Sequence, residues 1–169
     1  MNYLVTGSAG FIGSAVAKIL LDAGHAVVTI DNLSTGVMAA IPKGCVFING
    51  DASKDETIKK LNDTLFDAII HIAGQASGQV SFEDSEIDIN SNTVSTLKLL
   101  DYCVKTKCER FVYASTMSVY GDQSGKEKFK EQDQLQPKSF YAVGKLASEH
   151  YLKIYRQCFG IKYTILRYF

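Results

Sequence analysis

The stretch VTGSAGFIGS, residues 5–14, decides the fold, because it joins an apolar run to a helical pattern through three evenly spaced glycines. Glycine is needed where the backbone turns sharply, where a phosphate comes close and where a helix packs on a strand. The glycines are Gly7, Gly10 and Gly13, with Phe11 and Ile12 between the last two, and a helical pattern follows directly. Free N–H groups at a helix N-terminus attract anions. This stretch therefore predicts a loop that binds the pyrophosphate of a dinucleotide.

Strand-like and helix-like segments alternate along the rest of the chain. The apolar segments rich in β-branched and aromatic residues are 3–7, 25–31, 45–50, 66–74, 109–116 and 163–169. The helical segments are 14–24, 51–63, 89–106 and 140–160, and a long charged loop covers 121–139. Such strands separated by helices predict an α/β fold, a doubly wound parallel sheet of about six strands with helices on both faces.

Composition excludes several classes of function. The chain has 169 residues and a formal net charge of zero, so nothing favours binding to nucleic acid or to an anionic membrane. Its apolar runs are too short to span a bilayer, and no signal peptide is evident. The four cysteines lack CxxC spacing and the three histidines do not cluster with them, so we expect no metal site. We expect a cytoplasmic protein with reduced thiols.

Two aspartates follow predicted strands where a dinucleotide would lie. Asp31 ends the second strand, 18 residues after Gly13, where a carboxylate can accept both hydroxyls of an adenosine ribose. With Asn32 next and no arginine in DNLSTG, the prediction is NAD rather than NADP; the alternative is that Asp31 is a turn residue. Asp51 follows the third strand and could be the N-cap of the next helix.

Tyr141 and Lys145 are four residues apart in YAVGK, which places them on one face of a predicted helix. An ammonium near a phenol favours the phenolate, and we expect a lowered pKa for Tyr141. A tyrosinate can remove a proton from a hydroxyl while hydride leaves the same carbon. The alternative is a core tyrosine with a lysine that extends to the surface.

Together these motifs resemble the extended short-chain dehydrogenase/reductase superfamily, within it the NAD-dependent epimerase/dehydratase family. VTGSAGFIGS is similar to the opening motif of the family, and HIAGQAS, STMSVYGD and YAVGK follow in the expected order. The resemblance implies that Thr116 holds the reacting hydroxyl beside Tyr141, with Ser115 on the nicotinamide side. It implies that the backbone of Ile72, Ala73 and Gly74 borders the cofactor and that Asn92 braces the site. It also implies that Asp51 accepts a hydrogen bond from the adenine amino group beside the backbone of Ala52, which is compatible with an N-cap role. Ser95 stands where the family commonly has glycine.

The resemblance is closest to the sugar-nucleotide epimerase branch and implies NAD as cofactor and a UDP-hexose as substrate. Met117 and Ser118 stand where dehydratases carry Asp-Glu, which disfavours dehydration. In the family the segment LRYF leads to a C-terminal substrate lobe, so we expect residues 1–169 to be a truncated NAD-binding domain. Two alternatives stay open, a fragment that binds NAD without catalysis and a reductase of the same superfamily.

The resemblance also implies a possible homodimer through helices 89–106 and 140–158. Apolar residues that could contact a second copy, or instead face the sheet, are Leu97, Leu100, Val104, Leu146 and Ile154.

Overall fold

The computed structural model describes residues 1–123 and 128–169, so the middle of the predicted 121–139 loop, residues 124–127, lies outside the described residues. All strand pairs are parallel, in the order β3–β2–β1–β4–β5–β6. The strands are β1 (Asn2–Thr6), β2 (Ala26–Asp31), β3 (Val46–Asn49), β4 (Ala68–His71), β5 (Arg110–Thr116) and β6 (Lys162–Tyr168). The predicted doubly wound sheet of six strands is confirmed.

Six α-helices accompany these strands within the described residues. They are α1 (Phe11–Asp22), α2 (Asp55–Lys59), α3 (Gly78–Glu83), α4 (Ser85–Ile89), α5 (Ser95–Thr106) and α6 (Phe140–Phe159). A π-helical segment, Asn90–Val94, joins α4 to α5. Short 3₁₀ turns lie at Met38–Ala40 and Met117–Tyr120.

Helices cover both faces of the sheet. Successive residues of a strand point to opposite faces, so an apolar strand places side chains that must be buried on both of them. Leu4 packs in the larger core with Leu99 of α5 and Leu152 of α6. Its neighbour Val5 packs on the other face against Ala17 of α1. Strands buried on both faces need continuous apolar sequence, which is why the apolar runs located them.

Two of the predicted helices differ from the structure. The helix expected over 51–63 is reduced to α2, since Asp51 forms a local turn before it and Asn62 and Asp63 adopt positive φ after it. The helix expected over 89–106 is α5 preceded by the π-helical segment. The short helices α3 and α4 were not predicted.

The helix faces expected at a dimer interface are only partly exposed. Leu100 is fully buried in the core, which agrees with the alternative that it faces the sheet rather than a second copy. Leu97 and Leu146 are half-buried, whereas Val104 and Ile154 are exposed.

The parallel topology brings the carboxyl ends of all six strands to one edge of the sheet. The chain reverses its winding direction between β1 and β4, which are neighbours in the sheet. In open α/β sheets, ligands bind in the crevice at this reversal. The candidate residues follow the strands that border it.

Candidate active site

The glycine loop after β1 is packed too tightly for side chains at two of its glycines. Gly7 has a φ of +77°, and a Cβ built on it would lie 2.8 Å from the Ala73 nitrogen. A Cβ on Gly13 would lie 2.0 Å from the Gly7 carbonyl oxygen. Gly10 is the extended N-cap of α1 and has more room. The loop thus needs glycine to bring α1 against β1 and β4.

The first turn of α1 faces open space. Phe11 is 93% exposed and Ile12 is 40% exposed, while Gly13 is buried. The first N–H groups of a helix have no partner within it, so this end of α1 offers donors. Ser8, in the same loop, buries a hydroxyl that finds no partner among the described residues.

Asp31, at the end of β2, holds the glycine loop in place. Its carboxylate accepts hydrogen bonds from the backbone of Ala9, at 2.9 Å, and of Leu33, at 2.8 Å. Asp31 is therefore a turn residue, as the alternative expected. A carboxylate has about four acceptor positions, so it can also accept from a ligand hydroxyl. The exposed Asn32 accepts from the Ser34 backbone at 3.0 Å.

Asp51 and Ala52 follow β3. The Asp51 carboxylate accepts from the Ser53 backbone at 2.8 Å, and Ala52 is buried. The N-cap of α2 is Lys54, so the alternative that Asp51 caps this helix is wrong. Asp51 instead closes a tight turn at the carboxyl end of the strand.

A directed chain of hydrogen bonds fixes the end of β4. The Thr6 hydroxyl accepts from the backbone of Ile72 and of Ala73, both at 3.1 Å, which occupies its two lone pairs. It therefore donates to Nδ1 of His71, at 2.7 Å. The neutral ring then carries its proton on Nε2 and donates to Ser95, at 3.2 Å. Ser95, where the family commonly has glycine, gives this buried histidine its second partner.

We expect His71 to make the fold sensitive to acid. Burial, followed by the charge of Lys145, lowers the pKa of His71 from 6.5 to about 3. Between these pH values His71 binds a proton in the unfolded chain but not in the folded chain. The free energy of unfolding therefore decreases as pH falls from 6.5 to about 3. Each pH unit in this window costs about 1.4 kcal/mol.

Urea unfolding between pH 7 and pH 4 measures this effect. His71→Asn should flatten the pH dependence, whereas His150→Asn, which changes an exposed histidine of α6, should leave it as in the parent. If His71→Asn retained the full pH dependence, another group would have to be responsible.

Three of the expected catalytic residues lie together at the carboxyl end of β5. Tyr141 is half-buried at the start of α6, near Thr116, whose hydroxyl donates to the Ser118 hydroxyl at 3.2 Å. The Lys145 Nζ lies 6.0 Å from the centre of the Tyr141 ring and donates to the Ala114 carbonyl oxygen at 3.0 Å. Lys145 is only 4% exposed. The alternative of a lysine extending to the surface is therefore wrong.

The pKa of Tyr141 differs from the expectation. Burial raises the pKa of Tyr141 above its ordinary value, and the negative charge of Asp88 adds to this, while the nearby Thr116 hydroxyl lowers it. In the protein without cofactor the phenol is therefore neutral at pH 7. Burial also lowers the pKa of Lys145 to about 8.

Ser115 takes part in a separate hydrogen-bond network. Its hydroxyl donates to the fully buried Glu149 at 2.6 Å. Arg167 of β6 donates to both oxygens of Glu149, at 3.0 and 2.7 Å, and to the Tyr120 hydroxyl at 2.8 Å. This network ties β5, α6 and β6 together behind the reacting groups.

Asn92 and Asp88 form a buried pair next to Lys145. The Asn92 amide nitrogen donates to the Asp88 carboxylate at 3.0 Å. Asp88 is 2% exposed and was not predicted as a site residue. The four-residue spacing between Asp88 and Asn92 was the signal that the sequence offered for this pair. Only the tertiary packing shows that Asp88, in the segment EIDIN, is buried.

The residues at this edge fit a dinucleotide. Gly7 and Gly13 leave a backbone cradle, and a Cβ built on Gly74 would lie 2.5 Å from Asn92 Oδ1. The hydroxyl of Ser8 and the side-chain oxygen of Asn92 are buried polar atoms that lack partners within residues 1–123 and 128–169. Such atoms are rare in folded proteins unless something else satisfies them.

Neither a metal-binding cluster nor a membrane-spanning helix is present in the described part of the chain. Within residues 1–123 and 128–169, no group of three or more His, Cys, Asp or Glu side chains could hold a metal ion. Over the same residues, no helix combines the length and apolar character needed to cross a bilayer.

Comparisons with known proteins agree with this geometry. The UDP-glucose 4-epimerase of Corynebacterium glutamicum is 34% identical over 169 residues, which are 100% of this chain and 51% of that protein. The crystal structure of Thermus thermophilus UDP-glucose 4-epimerase in complex with NAD is 40% identical, with a TM-score of 0.94 over 99% of this chain and 55% of that one. The Thermotoga maritima UDP-glucose 4-epimerase with UDP-glucose is 32% identical, with a TM-score of 0.95 over the same shares, 99% and 55%.

The chain spans about half the length of the relatives it matches. Residues 3–169 match the family described as the NAD dependent epimerase/dehydratase family. That match covers nearly the whole chain, from β1 through β6. The chain therefore belongs to the NAD dependent epimerase/dehydratase family.

Proposed function

We propose that the chain is the NAD-binding domain of a sugar-nucleotide 4-epimerase that acts on a UDP-hexose. The observation that carries this proposal is the meeting of the glycine loop with Tyr141, Lys145 and Thr116 at one edge of the sheet. The similarity to UDP-glucose 4-epimerases supports it.

In this proposal NAD lies along the carboxyl ends of β1 to β5. The glycine loop and the first turn of α1 bind the pyrophosphate, Asp31 and Asn32 the adenosine ribose, and Asp51 and Ala52 the adenine. In this proposal the nicotinamide is bordered by backbone and side chains that follow β4 and β5 or lie on the nearby helices. The residues concerned are Ile72, Ala73, Gly74, Asn92, Ser115, Tyr141 and Lys145.

A bound nicotinamide cofactor supplies reversible hydride transfer at one carbon of the sugar. Bound oxidised cofactor and the Lys145 ammonium both carry positive charge, which would favour loss of the Tyr141 phenol proton to solvent. As a phenolate, Tyr141 removes the proton from the hydroxyl at that carbon and later returns it, acting as base and then as acid. Thr116, near Tyr141, would hydrogen-bond the same sugar hydroxyl and orient it. Lys145, buried and positively charged, stabilises the phenolate as it forms.

We propose that a C-terminal lobe of the full-length protein chooses the sugar, whereas this domain carries the cofactor and the proton transfer. Val104 and Ile154 expose apolar side chains that could support a homodimer through helices 89–106 and 140–158. The cytoplasmic location stays a prediction.

Calorimetric titration with NAD tests the binding half of the proposal. The chain should bind NAD more tightly than NADP, because Asp31 repels a 2′-phosphate. Asp31→Asn should weaken NAD binding by about 10- to 100-fold, since a hydrogen bond to a charged group contributes about 1.5–3 kcal/mol. Asp22→Asn, which removes an exposed carboxylate paired with Lys18, is the matched control. Equal affinity of the parent and Asp31→Asn would contradict the assignment.

Turnover tests the catalytic half. A full-length protein carrying this domain should convert UDP-galactose to UDP-glucose without net consumption of NADH. Net consumption of NADH would indicate a reductase instead. Efficient epimerisation by residues 1–169 alone would contradict the assignment of substrate choice to another lobe.

A further inference from the structure

Asp88 is a carboxylate buried beneath the candidate active site. It lies on α4 and is 2% exposed. A Cβ built on Gly144, which precedes Lys145 in α6, would lie 3.3 Å from the Asp88 carboxylate, so the lack of a side chain there lets α6 approach closely. A buried acid is costly unless its charge is compensated. Burial raises the pKa of Asp88, whereas the hydrogen bond from Asn92 and the charge of Lys145 lower it.

Asp88 determines which way the Asn92 amide points. The Asn92 side-chain nitrogen donates both to the Asp88 carboxylate, at 3.0 Å, and to the Gln75 carbonyl oxygen, at 3.1 Å. An ionised carboxylate and a carbonyl oxygen can only accept, so the NH₂ group must face them. The Asn92 side-chain oxygen is therefore left on the other side, buried and without a partner among the described residues.

That oxygen lies in the space kept open by Gly74. A Cβ built on Gly74 would be 2.5 Å from Asn92 Oδ1 and 3.1 Å from Lys145 Nζ. An acceptor and a cationic donor thus border the same point. The Lys145 bond to the Ala114 carbonyl oxygen uses one of three donors of the ammonium, which leaves capacity for a ligand hydroxyl.

Asp88 also opposes the effect of burial on Lys145. Burial lowers the pKa of Lys145 to about 8, and the charge of Asp88 raises it. The other titratable groups near the ammonium are Tyr113, with its ring centre 5.0 Å away, Tyr141, and His71, whose pKa Lys145 lowers. Tyr113, Tyr141 and His71 are neutral at pH 7. Of these four groups near the ammonium, Asp88 is therefore the one that brings negative charge.

We propose that Asp88 is a positioning residue of this site: it sets the Asn92 amide with its oxygen toward the cofactor and supplies the negative charge that keeps the buried Lys145 an ammonium. Asp88 itself touches neither the reacting sugar carbon nor the phenol in this arrangement. It acts through Asn92 and Lys145.

Titration of Lys145 in the cofactor-free chain tests this proposal. The Lys145 Cε signal is followed by NMR between pH 5 and pH 11, and is identified by its loss in Lys145→Arg. In Asp88→Asn, which keeps the shape but removes the charge, the pKa of Lys145 should fall by about one pH unit. Glu86→Gln removes an exposed carboxylate from the same helix and should leave the titration unchanged.

Cofactor affinity provides a second measurement, which rests on the proposed function. Asp88→Asn should weaken NAD binding by about fivefold to tenfold at pH 8, and less at pH 6, where Lys145 regains its proton. A purely structural role for Asp88 would weaken binding equally at both pH values and would overturn the proposal.

The NMR measurement does not depend on NAD. If the parent failed to bind NAD while Asp88→Asn still shifted the Lys145 titration, the proposed function would fail and the role of Asp88 would stand. A Lys145 titration in Asp88→Asn that matches the parent overturns the proposal. Should Asp88→Asn not fold, the parent alone suffices: the Lys145 signal must move when the Asp88 carboxyl titrates, and a signal that stays fixed overturns the proposal.

Discussion

Tyr141→Phe should lower kcat for the conversion of UDP-galactose to UDP-glucose by about a thousandfold in a full-length protein that carries this domain. The substitution keeps the ring beside Lys145, whose Nζ lies 6.0 Å from the ring centre, and removes only the hydroxyl. Folding and packing at the start of α6 should therefore be preserved. The loss would report the proton transfer itself.

Tyr151→Phe is the matched control, because Tyr151 lies on the same helix with its side chain 36% exposed. It should retain the parent kcat. The pH dependence gives a second check: Thr116→Val removes the hydroxyl that lowers the pKa of Tyr141, so the rise of activity with pH should move to higher pH. If Tyr141→Phe kept more than about a tenth of the parent activity, Tyr141 would not be the base.

The sequence was most informative where a residue type is demanded by the backbone. The predicted strands and the glycine loop are at their expected places, because parallel strands buried on both faces need apolar runs. The ends of the helices were predicted less accurately. The helix expected over 51–63 shortens to α2, since Asp51 binds the Ser53 backbone in a local turn that competes with helix.

Side-chain partners were harder to predict than positions. Ser115 follows the expected strand, but its hydroxyl donates to Glu149, which is 34 residues away in sequence. From the sequence alone, Asp88 looks like an acidic residue on the surface of a helix. The packing of α6 against α4 buries it in the structure. Such contacts arise from tertiary structure and leave no local pattern.

The electrostatics of the catalytic pair also required the structure. A lysine four residues from a tyrosine suggested a lowered pKa for Tyr141. The structure adds the burial of Tyr141 and the charge of Asp88, and both raise the pKa. In the cofactor-free protein these two effects outweigh the influence of the Thr116 hydroxyl, which lowers the pKa.

Gly13→Ala should lower the free energy of unfolding by about 3 kcal/mol or more and abolish NAD binding. A Cβ at this position would lie 2.0 Å from the Gly7 carbonyl oxygen and 2.5 Å from its carbon. These are backbone atoms of a loop held by hydrogen bonds from Gly7 to Ile30, at 2.9 Å, and from Gly10 to Gly7, at 3.2 Å. The loop cannot yield without pulling α1 away from the sheet.

Gly10→Ala distinguishes this steric effect from a general sensitivity of the loop. Gly10 has a φ of −90°, which any residue adopts, and its added Cβ would lie 3.4 Å from the Gly7 carbonyl oxygen, an ordinary contact. Its free energy of unfolding should stay within about 1 kcal/mol of the parent. Urea unfolding of both variants measures the difference. Similar stability of Gly13→Ala and Gly10→Ala would mean that the close approach of α1 to the loop is not what demands glycine at position 13.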